Sequence, residues 1–176
     1  MEIHTENDDL SSTRTFVKGE KELNVLQKAI EDSNHMLLIQ LKLKPKELLT
    51  LRFKHSMNIL QAACYFSSES VVTYLRDVFA KDPKSMSELI EYQEPFGGNM
   101  AIHFAALKGS KRIIDMLMKD FNAQADAKTS NGLSIMHCAA QFERGTLSIE
   151  MFAQTLSIDI PDSFNCTPLH FAVLNL

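Results

Sequence analysis

Tryptophan is absent from this 176-residue chain, and glycine (six), proline (five) and cysteine (three) are all scarce. So little glycine and proline excludes collagen-like and low-complexity chains. Three cysteines, Cys64, Cys138 and Cys166, cannot all pair within one chain, and none of their spacings resembles a zinc-ligand pair. Reduced thiols in a cytoplasmic setting are the simplest account. No run approaches the roughly 18 apolar residues of a membrane span, so no membrane contact is expected of this segment. The first 14 residues, MEIHTENDDLSSTR, lack the basic flank and apolar stretch of a secretory signal.

Excess positive charge is missing as well. Eighteen Lys and Arg against 22 Asp and Glu leave a net charge of -4. Nonspecific phosphate binding depends on cations, so no nucleic-acid partner is expected. One basic stretch, Lys42, Lys44, Lys46, Arg52 and Lys54, is interrupted by Glu47 and by Leu43, Leu48, Leu49, Leu51 and Phe53. That alternation predicts the solvated face of a half-buried segment.

Patterns that carry chemistry are also wanting. Gly97-Gly98 has no Lys-Ser/Thr behind it and is no phosphate loop. The carboxylates Asp8-Asp9 and Glu91 with Glu94 fall in expected tail or loop, and nothing forms a nucleophile elbow. Cys64 and Cys138 stand at or beside small-residue positions of expected helices, which favours buried, inert thiols. No catalytic residue, cofactor or metal site is therefore expected.

What is present is a repeated phrase. Hydrophobic residues make up 45% of the chain and charged residues 23%, an ordinary globular balance. Within it Ile102-His103-Phe104-Ala105-Ala106 recurs as Met136-His137-Cys138-Ala139-Ala140 and again as Leu169-His170-Phe171-Ala172-Val173. The histidines are spaced by 34 and 33 residues, a period that belongs to helix-pair repeats. Upstream, Leu60-Gln61-Ala62-Ala63-Cys64 carries Gln in the His position, with Val71-Val72 and Leu75 placed for a second helix. Leu26-Gln27-Lys28-Ala29-Ile30, followed by Leu37-Leu38 and Leu41, repeats those offsets at a spacing of 34. Between Gln61 and His103 the spacing widens to 42, which predicts an insertion of about eight or nine residues within Lys81 to Glu94.

The fold expected is all-α, a solenoid of about five helix-pair units, the first degenerate and the last incomplete. Residues 1–18 are expected to be a flexible acidic tail before a repeat domain over 19–176. The units fall at about 22–55, 56–97, 98–131, 132–164 and 165–176, with first helices near 23–32, 58–67, 100–109, 134–143 and from 167 onward.

Each recurring residue has a physical task. Thr167, Ser134 and Asn58 place a side-chain oxygen at the helix N-cap, where it can accept from orphan backbone N–H groups. Pro168 takes the first helical position, where its missing N–H costs nothing. The alanine pairs let neighbouring helices approach closely. Gly109 ends a helix where positive φ is favoured.

Thr167-Pro168-Leu169-His170-Phe171-Ala172 resembles the ankyrin signature almost letter for letter. Gly98 to Gly109, with Ile113-Ile114 and Leu117 behind it, resembles it at the glycines, the histidine and both alanines. Gly132 to Ala140 is similar, with Ser134 in the Thr place. The tetratricopeptide alternative wants Trp and Gly-Tyr landmarks that are missing. The sequence departs from the ankyrin pattern at Met100, where the capping Thr belongs, at Ser67 and Glu143 in place of the helix-ending Gly, and at Asn165 in place of the loop Gly. Glu143 predicts a distorted turn with Gly145 as a shifted terminator before a second helix over Leu147 to Leu156.

In the family, the equivalent His hydrogen-bonds neighbouring loop backbone. That role is implied for Gln61, His103, His137 and His170. Successive units stack roughly 10 Å apart, too far for these residues to share a metal. The resemblance also implies a non-catalytic scaffold that binds another protein on its concave side, and a monomer. By register its contact residues would be Glu94, Phe96, Lys128, Asn131 and Phe164, with Ser130 and Ser163, at loop tips, and Lys108, Gln141 and Phe142 on first helices. Exposed aromatics are enriched in hot spots, which singles out Phe96, Phe142 and Phe164. The competing account packs each ring against the next unit.

The phrase Asn131 to Gln141 and the later Asp159-Ile160 before Asp162 are also similar to the N-terminal ankyrin region of DHHC-type protein S-acyltransferases. That likeness implies an alternative function, a substrate-recruiting segment on the cytosolic face of a membrane enzyme. The apolar ending Phe171 to Leu176, with no second helix to cover it, predicts that the chain is part of a longer protein.

Overall fold

A computed structural model describes residues 20–141 and 158–174. They form an all-helical structure, consistent with the all-α expectation. The described helices are α1 (Glu20–Glu31), α2 (His35–Gln40), α3 (Pro45–Thr50), α4 (Ile59–Tyr65), α5 (Glu69–Phe79), α6 (Pro83–Glu91), α7 (Ala101–Leu107), α8 (Lys111–Lys119), α9 (Ile135–Ala140) and α10 (Pro168–Val173).

Three rows of helices account for the packing. In the first row α1 meets α4, α4 meets α7, α7 meets α9, and α9 meets α10. Alanine makes the close approach possible, since Ala62, Ala63, Ala101, Ala105, Ala106 and Ala139 are wholly buried. A second row, α2, α5 and α8, backs onto the first with Leu38, Val71, Val72, Leu75, Ile113, Ile114 and Leu117, each fully buried. A third row holds α3 against α6.

Local sequence explains where these helices stop. Asn58 caps α4 by accepting from the Gln61 N–H at 2.8 Å. Pro45 and Pro83 stand in the first turns of α3 and α6, and Asp82 caps α6 by accepting from the Ser85 N–H at 3.2 Å. The first-row helices α4 and α7 end at residues with positive φ, Ser67 at 55° and Gly109 at 62°. Serine thus adopts at Ser67 the backbone for which glycine is the default.

Helix α6 lies within the 81–94 window in which the insertion is expected. The basic stretch after Lys42 behaves as predicted: Leu48, Leu51 and Phe53 are buried, while Lys42, Lys44, Lys46, Arg52 and Lys54 are exposed. Leu41 departs from expectation, being 40% exposed rather than buried. The reason is length, because α2 has only six residues and the chain turns away at Lys42 with φ of 47°. The expected tail over 1–18, the turn at Glu143 and Gly145, and the helix over Leu147 to Leu156 lie outside the described residues. No described helix is long and apolar enough to cross a membrane.

Candidate functional site: the linked hairpins and the first-row surface

Between the helix pairs the chain forms tight hairpins, and their closure begins with backbone hydrogen bonds. Phe53 N–H donates to Met57 O, Glu94 N–H to Asn99 O, Thr129 N–H to Leu133 O, and Asp162 N–H to Cys166 O, all between 2.8 and 3.1 Å. Positive φ angles at Gly98, Gly132 and Asn165 turn the last three. Neighbouring tips are tied to each other, Ser130 N–H donating to Gly97 O and Ser163 N–H to Asn131 O, both at 3.0 Å.

One polar side chain in each of three first-row helices ties the helix to the next hairpin. His137 Nδ1 accepts from the Ser134 N–H at 3.0 Å, and its Nε2 lies 3.0 Å from the Cys166 carbonyl. His103 Nδ1 accepts from the Met100 N–H at 3.1 Å, with Nε2 3.2 Å from the Ala127 carbonyl. Both rings are buried and carry their proton on Nε2, because Nδ1 is the acceptor. Burial pulls the His103 pKa down to about 4, against the opposing pull of the Ala127 and Leu133 carbonyls.

Gln61 does the same work with one more bond. Its Oε1 accepts from the Asn58 N–H at 3.0 Å, and its Nε2 donates to both Tyr92 O and Asn99 O at 2.8 Å. A neutral imidazole has one N–H to give, whereas an amide has two. The two carbonyls flank the hairpin that follows α6, so Gln61 ties α4 to that hairpin. His170 Nδ1 accepts from the Thr167 N–H at 3.0 Å, and this ring is exposed.

The capping hydroxyls depart from expectation. Asn58 accepts from backbone as predicted, but Ser134 Oγ and Thr167 Oγ1 lie 2.8 and 2.9 Å from the Nδ1 of His137 and His170. Those hydroxyls orient the imidazole instead of satisfying helix N–H groups. At Met100, which has no hydroxyl, the His103 ring alone takes the backbone donor. Gln27, at the same place in the repeated phrase, sits in the middle of α1 and donates to Glu31 Oε1 at 2.9 Å.

Glu94 is a larger correction, for it is no surface contact at the loop tip. It is 4% exposed, and its Oε1 accepts from Gly97 N–H at 2.9 Å, Asn99 N–H at 3.0 Å and Asn99 Nδ2 at 2.7 Å. Oε2 accepts from Phe96 N–H at 2.6 Å. Burial raises the pKa of a carboxyl, but these donors outweigh it and hold Glu94 below its ordinary value. Asp162 plays a lesser version, accepting from Phe164 N–H and Cys166 N–H at 2.9 and 2.8 Å.

The other candidates are placed as follows. Phe96 and Phe164 are 77% and 73% exposed, so neither ring is packed away, and the Phe96 ring lies edge-on to His55 with centroids 6.4 Å apart. Lys128 and Asn131 are exposed on the hairpin between them. Gln141 is half-buried at the end of α9, and Phe142 lies outside the described residues. Pro168 is buried at the start of α10.

Lys108 is joined to aromatics that sequence reasoning missed. Its Nζ lies 4.3 Å from the centre of the Tyr65 ring, and Tyr65 packs edge-on against Phe66 at 5.1 Å and Phe104 at 6.0 Å. Tyr65, Phe66 and Phe104 are half-buried, so the cluster remains partly open to solvent. The available signal was register: Tyr65 follows the Ala-Ala-Cys of α4 and lies near Phe104 across the α4–α7 contact.

Two of the three cysteines are shielded, while Cys166 is half-buried. Burial pushes the Cys64 thiol far above its usual range and Cys138 up to about 12. No family model matches the chain, and none of the curated proteins compared with it is significantly similar.

Proposed function

We propose that the chain is an ankyrin-type helical solenoid whose task is to bind another protein on the open side of its first row, without catalysis. The observation that carries this reading is the shared bonding of Gln61, His103 and His137. Each accepts from the backbone N–H three residues before it and donates to a hairpin carbonyl 24 to 38 residues later. A side chain that knits each unit to the next hairpin is the nearest-neighbour interface on which repeat proteins depend.

The binding surface on this reading joins two features. One is the row of linked hairpin tips with Phe96, Lys128, Asn131 and Phe164, and the other is the Tyr65, Phe66, Phe104 and Lys108 cluster with Gln141. Rigid aromatics with a cation among them are the side chains on which interface energy concentrates.

Affinity capture from an extract, quantified against the Tyr65→Ala/Phe104→Ala double variant, tests the proposal. The expected result is a protein retained by the wild type and reduced at least tenfold on the variant, with helix content unchanged by circular dichroism. Retention that is indifferent to the double variant and to Phe96→Ala/Phe164→Ala would overturn the surface assignment.

A further inference from the structure

The third row of helices is unfinished. On one side of α6 lies α3; on the other, residues 121–127 after α8 form no helix. Beside α6 runs a cleft of about 590 Å³, lined on one wall by Pro83, Met86, Ser87, Ile90 and Glu91 and on the other by residues 120–124, 126 and 127, with Met100 and Ile102 also in its lining. The α6 positions fall at i, i+3, i+4, i+7 and i+8, a single stripe of a helix surface. That stripe lies where a following third-row helix would pack. The volume is within the range of about 300–1,000 Å³ typical of ligand clefts.

Charge selects the occupant. Glu91, Asp120 and Asp126 line the cleft, and among the described residues no Lys or Arg does. Arg76, from the side of α5, reaches Asp120 Oδ2 at 3.4 Å, and Glu91 accepts from a neutral hydroxyl, that of Ser87, at 2.7 Å. The walls are thus apolar in the middle and acidic at the margin. An acidic margin disfavours nucleic acid and anionic lipid, and favours a cationic peptide.

We propose that this cleft docks a short amphipathic helix of a partner protein, apolar along one stripe and basic at its edges, which takes the vacant place in the third row. The mode is helix-in-groove recognition, with apolar anchors seated between Met86, Ile90, Phe121 and Ala123. It involves a different face from the Tyr65 and Phe104 cluster, and holds or fails independently of that surface.

Fluorescence anisotropy on the full chain with three labelled synthetic peptides decides it. One carries Leu at i, i+3, i+4 and i+7 with Lys at the edges, the second replaces Lys by Glu, and the third scrambles the Leu positions. The Lys peptide should bind at least tenfold more tightly than either control, and Met86→Glu or Ala123→Arg should remove that preference. Should Met86→Glu disturb folding, Glu91→Lys/Asp126→Lys provides a separate readout, because it should invert the preference toward the Glu peptide. Tyr65→Ala/Phe104→Ala should leave all three affinities unchanged. Equal binding of the three peptides, or a preference that the charge reversal leaves intact, overturns the proposal. So does sedimentation showing a dimer that Ala123→Arg dissolves, since the occupant would then be a second copy of this chain.

Discussion

Replacing Glu94 by glutamine changes almost no volume and removes one charge from a buried loop. The amide oxygen can keep the three donors that Oε1 now accepts, from Gly97 N–H, Asn99 N–H and Asn99 Nδ2. The amide nitrogen then faces the Phe96 N–H, donor against donor, where Oε2 accepts at 2.6 Å. An orphaned N–H that is only part-buried costs about 1 kcal/mol, the low end for buried donors, and hydrogen bonds to a charged acceptor exceed neutral ones by up to about 1 kcal/mol each. The sum is about 3 kcal/mol, or about 6–12 °C in melting temperature for a chain of this size. The pH dependence carries its own sign. Because the folded pKa is depressed below 4.5, the unfolded chain takes up the proton first as pH falls. Stability from Glu94 is therefore complete above about pH 5 and is lost as pH drops through the folded pKa. Urea unfolding of Glu94→Gln and wild type between pH 7 and pH 3 should show a gap near 3 kcal/mol that narrows with acid. A gap below about 0.5 kcal/mol at pH 7, or one that stays constant down to pH 3, refutes the assignment.

Two further substitutions probe the same edge of the molecule. Gln61→His leaves one of the Tyr92 and Asn99 carbonyls without its donor and should lower stability by about 1–3 kcal/mol in urea titration; an unchanged midpoint would show that the second N–H is dispensable. Gly98→Ala places a methyl group against Ser130 Oγ and within 2.7 Å of its backbone N, at a φ of +71°. A loss of about 1–3 kcal/mol is expected, together with amide-exchange loosening at Ser130, and protection equal to wild type there would count against the linked tips.

The first-row helices were legible in the sequence because their determinants are local and repeat. A His or Gln three residues after the cap, followed by small residues, specifies the hydrogen bond, the close approach and the phase together. The widened spacing between Gln61 and His103 marked the stretch that α6 fills. The short helix α3 escaped notice because six residues from Pro45 to Thr50 contain too few turns to set a period. Glu94 was misplaced because a carboxylate in a loop is ordinarily a solvated group, and only three-dimensional closure of the hairpin brings four donors to it. The cleft beside α6 depends on what residues 121–127 fail to form, and no pattern along the chain announces such a vacancy.

The bonds between hairpin tips have a mechanical consequence. Gly97 is tied to Ser130 and Asn131 to Ser163 through main-chain atoms, so displacing one tip drags its neighbours. Phe96 and Phe164, at the two ends of this chain of links, are therefore spaced like teeth on a comb. On the proposed reading, a partner would meet their separation as a fixed gauge: a surface of matching pitch would engage both rings with little ordering left to do, and one of different pitch would have to bend itself.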